Sequence, residues 1–380
     1  MDVTLDHAAL SRALRLVSRI TPTRPTLPIL QMVLLTGEPG RLRLTATDVE
    51  LAMTTAVVAD VASPGCVAIP ARLLGDYVAQ LPVAPVRLTF DAERGRVRVA
   101  CGQFVANLAT ADANEIPTFP AIDQRTVLEL DAGRLRTAVE RVAFAAAHDE
   151  SRPALSGVLF DFGASGLTLA ATDGFRLARA GVPEAMSAAR QLLVPARAVA
   201  EFARLLADAP VARLLLAADG RGVTLVVGET MLSTRMIEGR FPDVEREIPQ
   251  EWRSRVTVDT VAFRQAVRVA SLFGSGDARP VVIEAAANRL RLQARGDETG
   301  DAEGELEASL EGEAQAVALN TRLLADVLDT ATGERLELRW SSPQTPVVLR
   351  EAGRADEIDL WVVMPLYDQA LARRQAEQAA

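Results

Sequence analysis

Two rhythms of apolar and polar positions run along the chain. Strict alternation appears at Arg41-Leu42-Arg43-Leu44-Thr45, Arg96-Val97-Arg98-Val99-Ala100 and Arg289-Leu290-Arg291-Leu292-Gln293, which predicts strands with one buried face. Gly40, Gly95 and Gly166 fall where turns are expected. Elsewhere the spacing is helical. Segments opening at Asp6, Asp131 and Asp259 carry the apolar sets Leu10, Leu14 and Val17, then Leu135, Val139 and Val142, then Phe263, Val267 and Ala270. Spacings of three and four put each set on one face of a helix of roughly 15 residues.

These segments are copies of one another. Ile69-Pro70-Ala71-Arg72-Leu73-Leu74 resembles Val194-Pro195-Ala196-Arg197-Ala198-Val199 and Leu319-Asn320-Thr321-Arg322-Leu323-Leu324, with Arg72, Arg197 and Arg322 spaced by 125 residues. Leu44-Thr45-Ala46-Thr47-Asp48 recurs 125 residues later as Leu169-Ala170-Ala171-Thr172-Asp173. So long a period marks a duplicated domain and not a solenoid. Each copy runs helix, strands, second helix, strands, so the expected class is α+β with helices packed on one face of a sheet. The expected domains are 1–122, 125–250 and 252–380, with linkers near Ile122-Asp123-Gln124 and Gln250-Glu251-Trp252.

Composition narrows the chemistry. All 41 basic residues are Arg, which excludes a Walker A loop and any catalytic Lys. His7, His148, Cys66 and Cys101 have no zinc-ligand spacing, and the two cysteines read as reduced, buried, ordinary residues. The N-terminus lacks a basic, apolar leader, and no apolar run nears 18 residues, so a soluble cytoplasmic chain is expected. The net charge is −9, yet the predicted helices bear Arg12, Arg15 and Arg19, Arg134 and Arg141, Arg264 and Arg268, and Arg72, Arg197, Arg204 and Arg322. The acidic residues Asp297, Glu298, Asp301, Glu303, Glu305, Glu307, Glu311 and Glu313 have no basic residue among them. A basic inner face with an acidic outside suits a protein that surrounds a polyanion. No signature of sequence-specific DNA reading is present.

Five short segments, in order, carry a resemblance. They are Thr23-Arg24-Pro25-Thr26-Leu27-Pro28-Ile29-Leu30, Thr47-Asp48-Val49-Glu50, Ala171-Thr172-Asp173-Gly174-Phe175-Arg176-Leu177-Ala178, Glu238-Gly239-Arg240-Phe241-Pro242-Asp243 and Val362-Val363-Met364-Pro365-Leu366. With the threefold repeat, they make the chain resemble the bacterial DNA polymerase III β subunits, or DNA sliding clamps, over essentially its whole length. The resemblance implies three domains of the clamp fold, helices lining a channel and sheets outside, closed as a head-to-tail dimeric ring. It implies a processivity factor that encircles duplex DNA, with no catalytic site, cofactor or metal. The implied partners are double-stranded DNA held non-specifically, a second copy in a homodimer, the DNA polymerase III catalytic subunit, the clamp loader, and other replication and repair proteins with clamp-binding peptides of Gln-Leu-x-Leu-Phe type. No membrane partner is implied.

Residue by residue, Arg24, His148 and Arg152 fall at or beside the family's DNA-contact positions, and the helix residues Arg72 and Arg197 join them. Phe104 is expected to meet Leu272 and Phe273 of a second copy. The peptide groove is expected from Leu155, Thr172, Gly174, Phe175, Arg176 and Leu177, with Pro242, Arg246, Val362, Met364, Pro365 and Leu366. The chain departs from the pattern at Phe175, where His is common, at Glu247, where an apolar residue is possible, at Asp149, where a neutral amide can occur, and in a tail Asp368 to Ala380. A clamp paralogue with an accessory or antibiotic-resistance role would have the same ring. An enzyme built on Asp48 and Asp173 is the rival class, but no His or Lys partner recurs beside them, and capping of local backbone is the expectation.

Overall fold

The repeats start their helices by one device. Asp6 Oδ1 accepts the Ala9 N–H at 2.9 Å and Asp259 Oδ1 accepts the Ala262 N–H at 2.8 Å, satisfying a donor that the first helical turn leaves unbonded. The helices are α1 (His7–Val17), α2 (Ala71–Gln80), α3 (Ala132–Val142), α4 (Ala196–Leu205), α5 (Thr260–Ala270) and α6 (Thr321–Thr330). The predicted apolar stripes of α1, α3 and α5 are buried. These helices have 11 residues each, fewer than the periodicity suggests. After Val17 and Ala270 the chain tightens into i→i+3 bonds, Ile20 N–H to Val17 O and Phe273 N–H to Ala270 O, both at 3.1 Å. The apolar pattern outlasts the α-helix because Ile20, 1% exposed, stays in the core.

This computed structural model describes all residues except 118–121, 150, 164–165, 184–188, 218, 274–275, 277–278, 297–299, 354–357 and 369–380. The backbone forms two units, Met1–Gly133 with Arg204–Met236, and Arg134–Ala203 with Ile237–Ala380. The first holds a five-stranded sheet in the order Asp60–Ser63, Asp2–Leu5, Val86–Asp91, Arg96–Cys101, Phe104–Ala109. It also holds an eight-stranded sheet in the order Ile122–Asp131, Val211–Ala217, Gly222–Val227, Thr230–Arg235, Leu51–Val58, Arg41–Thr47, Met32–Glu38, Gly65–Pro70. The second unit holds twelve strands, beginning Arg190–Pro195, Gly157–Gly163, Gly166–Thr172, Arg176–Val182, Leu360–Val363, Val347–Glu351. That sheet continues Arg335–Trp340, Ser254–Asp259, Gly300–Gly312, Arg289–Gly296, Pro280–Ala286, Ala316–Asn320. Among the described residues, the strands of the eight- and twelve-stranded sheets pair antiparallel.

Two strand pairs sew one repeat to the next. Leu51–Val58 takes Thr230–Arg235 beside it, with Thr55 opposite Thr230 and their hydroxyls 2.9 Å apart. Arg176–Val182 takes Leu360–Val363, with Arg176 opposite Val363. In each case the strand after a Thr-Asp turn pairs with the last strand of the following repeat. The expected linker at Ile122-Asp123-Gln124 is therefore the start of a strand, with Ile122 opposite Ala217.

The Thr-Asp turns are the same object twice. Thr47 Oγ1 donates to Leu51 O at 2.7 Å and accepts the Val49 N–H at 3.0 Å, while Asp48 Oδ1 accepts from Glu50 and Leu51 N–H. Thr172 Oγ1 donates to Arg176 O at 2.6 Å and accepts the Gly174 N–H at 3.1 Å, while Asp173 Oδ1 accepts from Phe175 and Arg176 N–H. These two carboxylates cap local backbone, as expected against the enzyme reading. The middle residue needs positive φ: +91° at Gly174 and +84° at Val49. A β-branched residue is strained there, so the side-chain bonds of Thr47 and Asp48 hold Val49 in place.

Two of the helix arginines are not on a charged face. Arg12, Arg15, Arg19, Arg134, Arg204 and Arg322 are exposed, but Arg264 donates to Leu328 O and Ala331 O and so caps the C-terminus of α6. Arg141 is buried in the second unit, with Nη2 2.5 Å from Glu351 Oε2 and Nη1 2.7 Å from Asp359 Oδ2. Its guanidinium lies 5.4 Å from the Trp361 ring centroid, and the Trp361 indole N–H donates to Arg141 O at 3.1 Å. Glu351 Oε1 also accepts the Thr332 and Gly333 N–H groups at 2.7 and 2.8 Å. Periodicity cannot separate such an anchor from a solvated Arg, because its partners lie about 200 residues away in sequence.

Burial pushes the Glu351 carboxyl up, but Arg141 and the two N–H donors outweigh it and hold the pKa at about 2, against an ordinary 4.5. A depression of that size contributes about 3 kcal/mol of stability, fully present above the ordinary value. Glu351→Gln should therefore lower unfolding stability by about 3 kcal/mol at neutral pH. The gap should close as pH falls from 4.5 towards 2, where the parent carboxyl also becomes neutral. Denaturant unfolding at stepped pH reads this directly; a gap that persists undiminished at pH 2 would mean the charge is not what stabilises.

Candidate functional site

The turn at Thr172–Arg176 forms one wall of a cavity of about 530 Å³ within the second unit. Its floor is built by segments that the twelve-stranded sheet brings side by side. Leu177 and Val362 face each other across the joined strands, 4% and 2% exposed. They belong to a buried cluster with Phe241, Val244, Ile248 and Leu360. Phe241, Val244 and Ile248 have helical spacing, so the short helical turn Val244–Glu247 turns one side inward. Pro153, Ala154 and Leu155, from the short helical turn Pro153–Ser156, close another side. The Met364 N–H donates to Phe175 O at 2.8 Å, which carries the strand pairing past Val363 and sets Met364 at the opening, 37% exposed.

Arg176 braces the wall from behind. Its Nε donates to Asp173 Oδ2 at 3.0 Å, Nη2 donates to Phe144 O at 2.8 Å, and Nη1 is ion-paired with Asp326. Its guanidinium also sits 5.1 Å from the Phe144 ring centroid. With its donors so engaged and 7% exposure, Arg176 holds shape more than it offers charge. Gly174 lies beside Arg152, whose Nη1 would be 3.3 Å from any Cβ added there.

Eight of the expected groove residues line this cavity: Leu155, Thr172, Gly174, Arg176, Leu177, Pro242, Val362 and Met364. Phe175, Arg246, Pro365 and Leu366 do not. Phe175 projects from the turn, 62% exposed, and Arg246 pairs with Asp243 at 2.9 Å. The Leu366 N–H bonds Ala318 O at 2.8 Å, so the chain turns aside after Met364. Sequence reasoning missed Pro153, Ala154, Arg240 and Val244 as lining residues. The apolar spacing around Val244 was the signal that could have found one of them. Of the tail, residues 369–380 lie outside the described residues.

The expected DNA-contact residues Arg24, Arg72, His148, Arg152 and Arg197 are all exposed. Arg72 approaches Asp76 at 3.8 Å with both side chains largely in solvent, so little of its charge is tied up. Arg152 also lines the cavity. The Ser151 hydroxyl and N–H hold the Asp149 carboxyl below its ordinary range, which keeps an anion beside His148. Phe104, 48% exposed, opens an edge strand; Leu272, 71% exposed, and the partly buried Phe273 follow α5. Asp297 and Glu298 lie outside the described residues; the rest of the acidic stretch is partly neutralised across strands, with Glu305 3.6 Å from Arg289, Glu303 paired with Arg291, and Glu311 3.2 Å from Arg255. Cys101 is buried as expected, but Cys66 is exposed, because it stands near the start of the edge strand Gly65–Pro70. Among the described residues no cluster of His, Cys, Asp or Glu could hold a metal ion, and no helix is long and apolar enough to cross a membrane.

Comparison with known proteins agrees with this geometry. Residues 1–120, 129–243 and 245–367 match the N-terminal, central and C-terminal domains of the DNA polymerase III beta subunit in turn. A beta sliding clamp of Pseudomonas putida is 31% identical over 370 residues, with 96% of this chain and 100% of that protein covered. A beta sliding clamp of Caulobacter vibrioides is 30% identical over 376 residues, with the same coverage. The crystal structure of the DNA polymerase III subunit beta from Pseudomonas aeruginosa superposes with a TM-score of 0.91 at 28% identity, covering 97% of this chain and 100% of that one. The fold is the three-domain α+β clamp fold, and the family's role is that of a non-catalytic processivity factor. Matched in all three domains and over nearly its whole length, the chain belongs to the beta sliding clamp family of DNA polymerase III beta subunits.

Proposed function

We propose that two copies of the chain close head to tail into a ring around duplex DNA, and that the cavity beside Gly174 takes peptide segments of the replicative polymerase, the clamp loader and other replication and repair proteins. What carries the ring is the way repeats are joined. Each strand after a Thr-Asp turn pairs with the last strand of the next repeat. For the third repeat, no strand of a further repeat is paired in this way among the described residues. Its corresponding strand, Gly300–Gly312, pairs over 300–307 on one side only among the described residues. Phe104–Ala109, the last strand of the first repeat, is likewise a sheet edge. Two edges left over by one rule complete each other between copies, a heterologous contact that a closed ring satisfies at both joints. Phe104, Leu272 and Phe273 supply apolar area to that contact. Work on duplex DNA in a bacterium puts the chain in the cytoplasm.

Replacing Leu272 and Phe273 together by Ala should give monomers in sedimentation at low concentration, because each side chain removed takes about 1.5–3 kcal/mol of apolar burial with it. A doubly substituted chain that stays dimeric would refute this joint.

The ring reading makes DNA binding diffuse and phosphate-directed. Arg24→Ala with Arg72→Ala should weaken binding alike on unrelated duplex sequences. It should also flatten the salt dependence, by about 1 in log–log slope for each phosphate no longer neutralised. Arg152 is left intact here because it also lines the cavity. Strong dependence on base sequence would contradict encirclement.

For the groove, Met364→Ala should weaken a Gln-Leu-x-Leu-Phe peptide by about 1 kcal/mol, near fivefold, in calorimetric titration. The dimer should persist, since the substitution touches neither free edge. Unchanged affinity would remove the groove assignment.

A further inference from the structure

The short turn Val244–Glu247 uses three of its four residues within the fold. Val244 is buried in the cavity floor, Glu245 is ion-paired with Arg179, and Arg246 is paired with Asp243. Glu247 lines the cavity and, among the described residues, has no cation against it. Arg152 and Arg240 line the same cavity. Arg152 lies within the field of Asp149, but among the described residues neither arginine is held in an ion pair. Charges of both signs thus stand uncommitted around an apolar floor. Anchoring of Leu and Phe side chains requires none of them.

We propose that the cavity selects partner segments of mixed charge: apolar anchors flanked by a carboxylate that meets Arg152 and Arg240 and by a Lys or Arg that meets Glu247. Glu247 is then a specificity-determining residue, setting a demand for a cation. This rests on the peptide-binding reading of the cavity and adds to it the charge pattern of the occupant. A uniformly basic segment is opposed by Arg152 and Arg240, and a uniformly acidic one by Glu247. At a partly open rim each such pair is worth little in affinity, but it discriminates between partners that share the same anchors.

The test uses the full-length chain and a panel of Gln-Leu-x-Leu-Phe peptides in which Lys or Glu is moved through each non-anchor and flanking position. At one position the Lys peptide should bind roughly threefold to fivefold more tightly than the Glu peptide, less so at high salt. Glu247→Gln should bring that ratio to near unity, and Glu247→Lys should invert it, which a mere folding defect does not do. The same discrimination in the parent and both variants overturns the proposal. Failure of the underlying reading looks different: the neutral peptide then binds Met364→Ala as well as it binds the parent, and this proposal falls with it.

Discussion

A strand with a bare edge exposes a row of backbone donors and acceptors, and that constraint organises this chain. The eight- and twelve-stranded sheets each run from one repeat into the next. The strands Leu51–Val58 and Arg176–Val182 each reach across to the end of the next repeat, so the second and third repeats are knit by main-chain bonds as well as by side chains. The buried Arg141 group follows from the same junction. Once Leu360–Val363 is docked, Asp359 and Trp361 come within reach of α3, and charges that would be costly alone are compensated together.

The candidate site is a by-product of that junction. Thr172 and Asp173 shape a turn whose next residues are the joined strand, so one tight loop both ends a hairpin and raises a wall beside the seam. The floor under it is the seam's own apolar face, Leu177 against Val362. Arg176, at the start of the same strand, ties the turn to Asp326 of α6. A recognition surface placed there is as rigid as the sheet beneath it, which favours apolar anchors whose pockets need not be rebuilt on binding.

Much of this was legible in the sequence because the repeat supplies internal comparison. The alternation at Arg289-Leu290-Arg291-Leu292 and the stripes of Leu10, Leu135 and Phe263 are local periodicities that core packing confirms. What escaped depends on distant partners. Arg141 and Arg264 look like Arg12 in a helical wheel; only the approach of Glu351 and of the α6 carbonyls distinguishes them. The resemblance put Pro365 and Leu366 in the groove with Met364, whereas a bond from Leu366 to Ala318 leads the chain away from the cavity lining. The acidic run seemed uncompensated because its arginines sit on the neighbouring strands.

The junctions also govern how pieces of this chain can be exchanged with those of its relatives. Main-chain ladders carry no side-chain identity, so a transplanted repeat would find its neighbouring strand even where sequences have drifted far apart. The Arg141, Glu351 and Asp359 group behaves otherwise. It is divided between α3 and the end of the chain, and a chimaera cut between the second and third repeats inherits one half only. A foreign third repeat lacking both carboxylates would bury an uncompensated guanidinium. Compatibility between clamp domains of different origin would thus be decided by these few side chains and not by overall similarity.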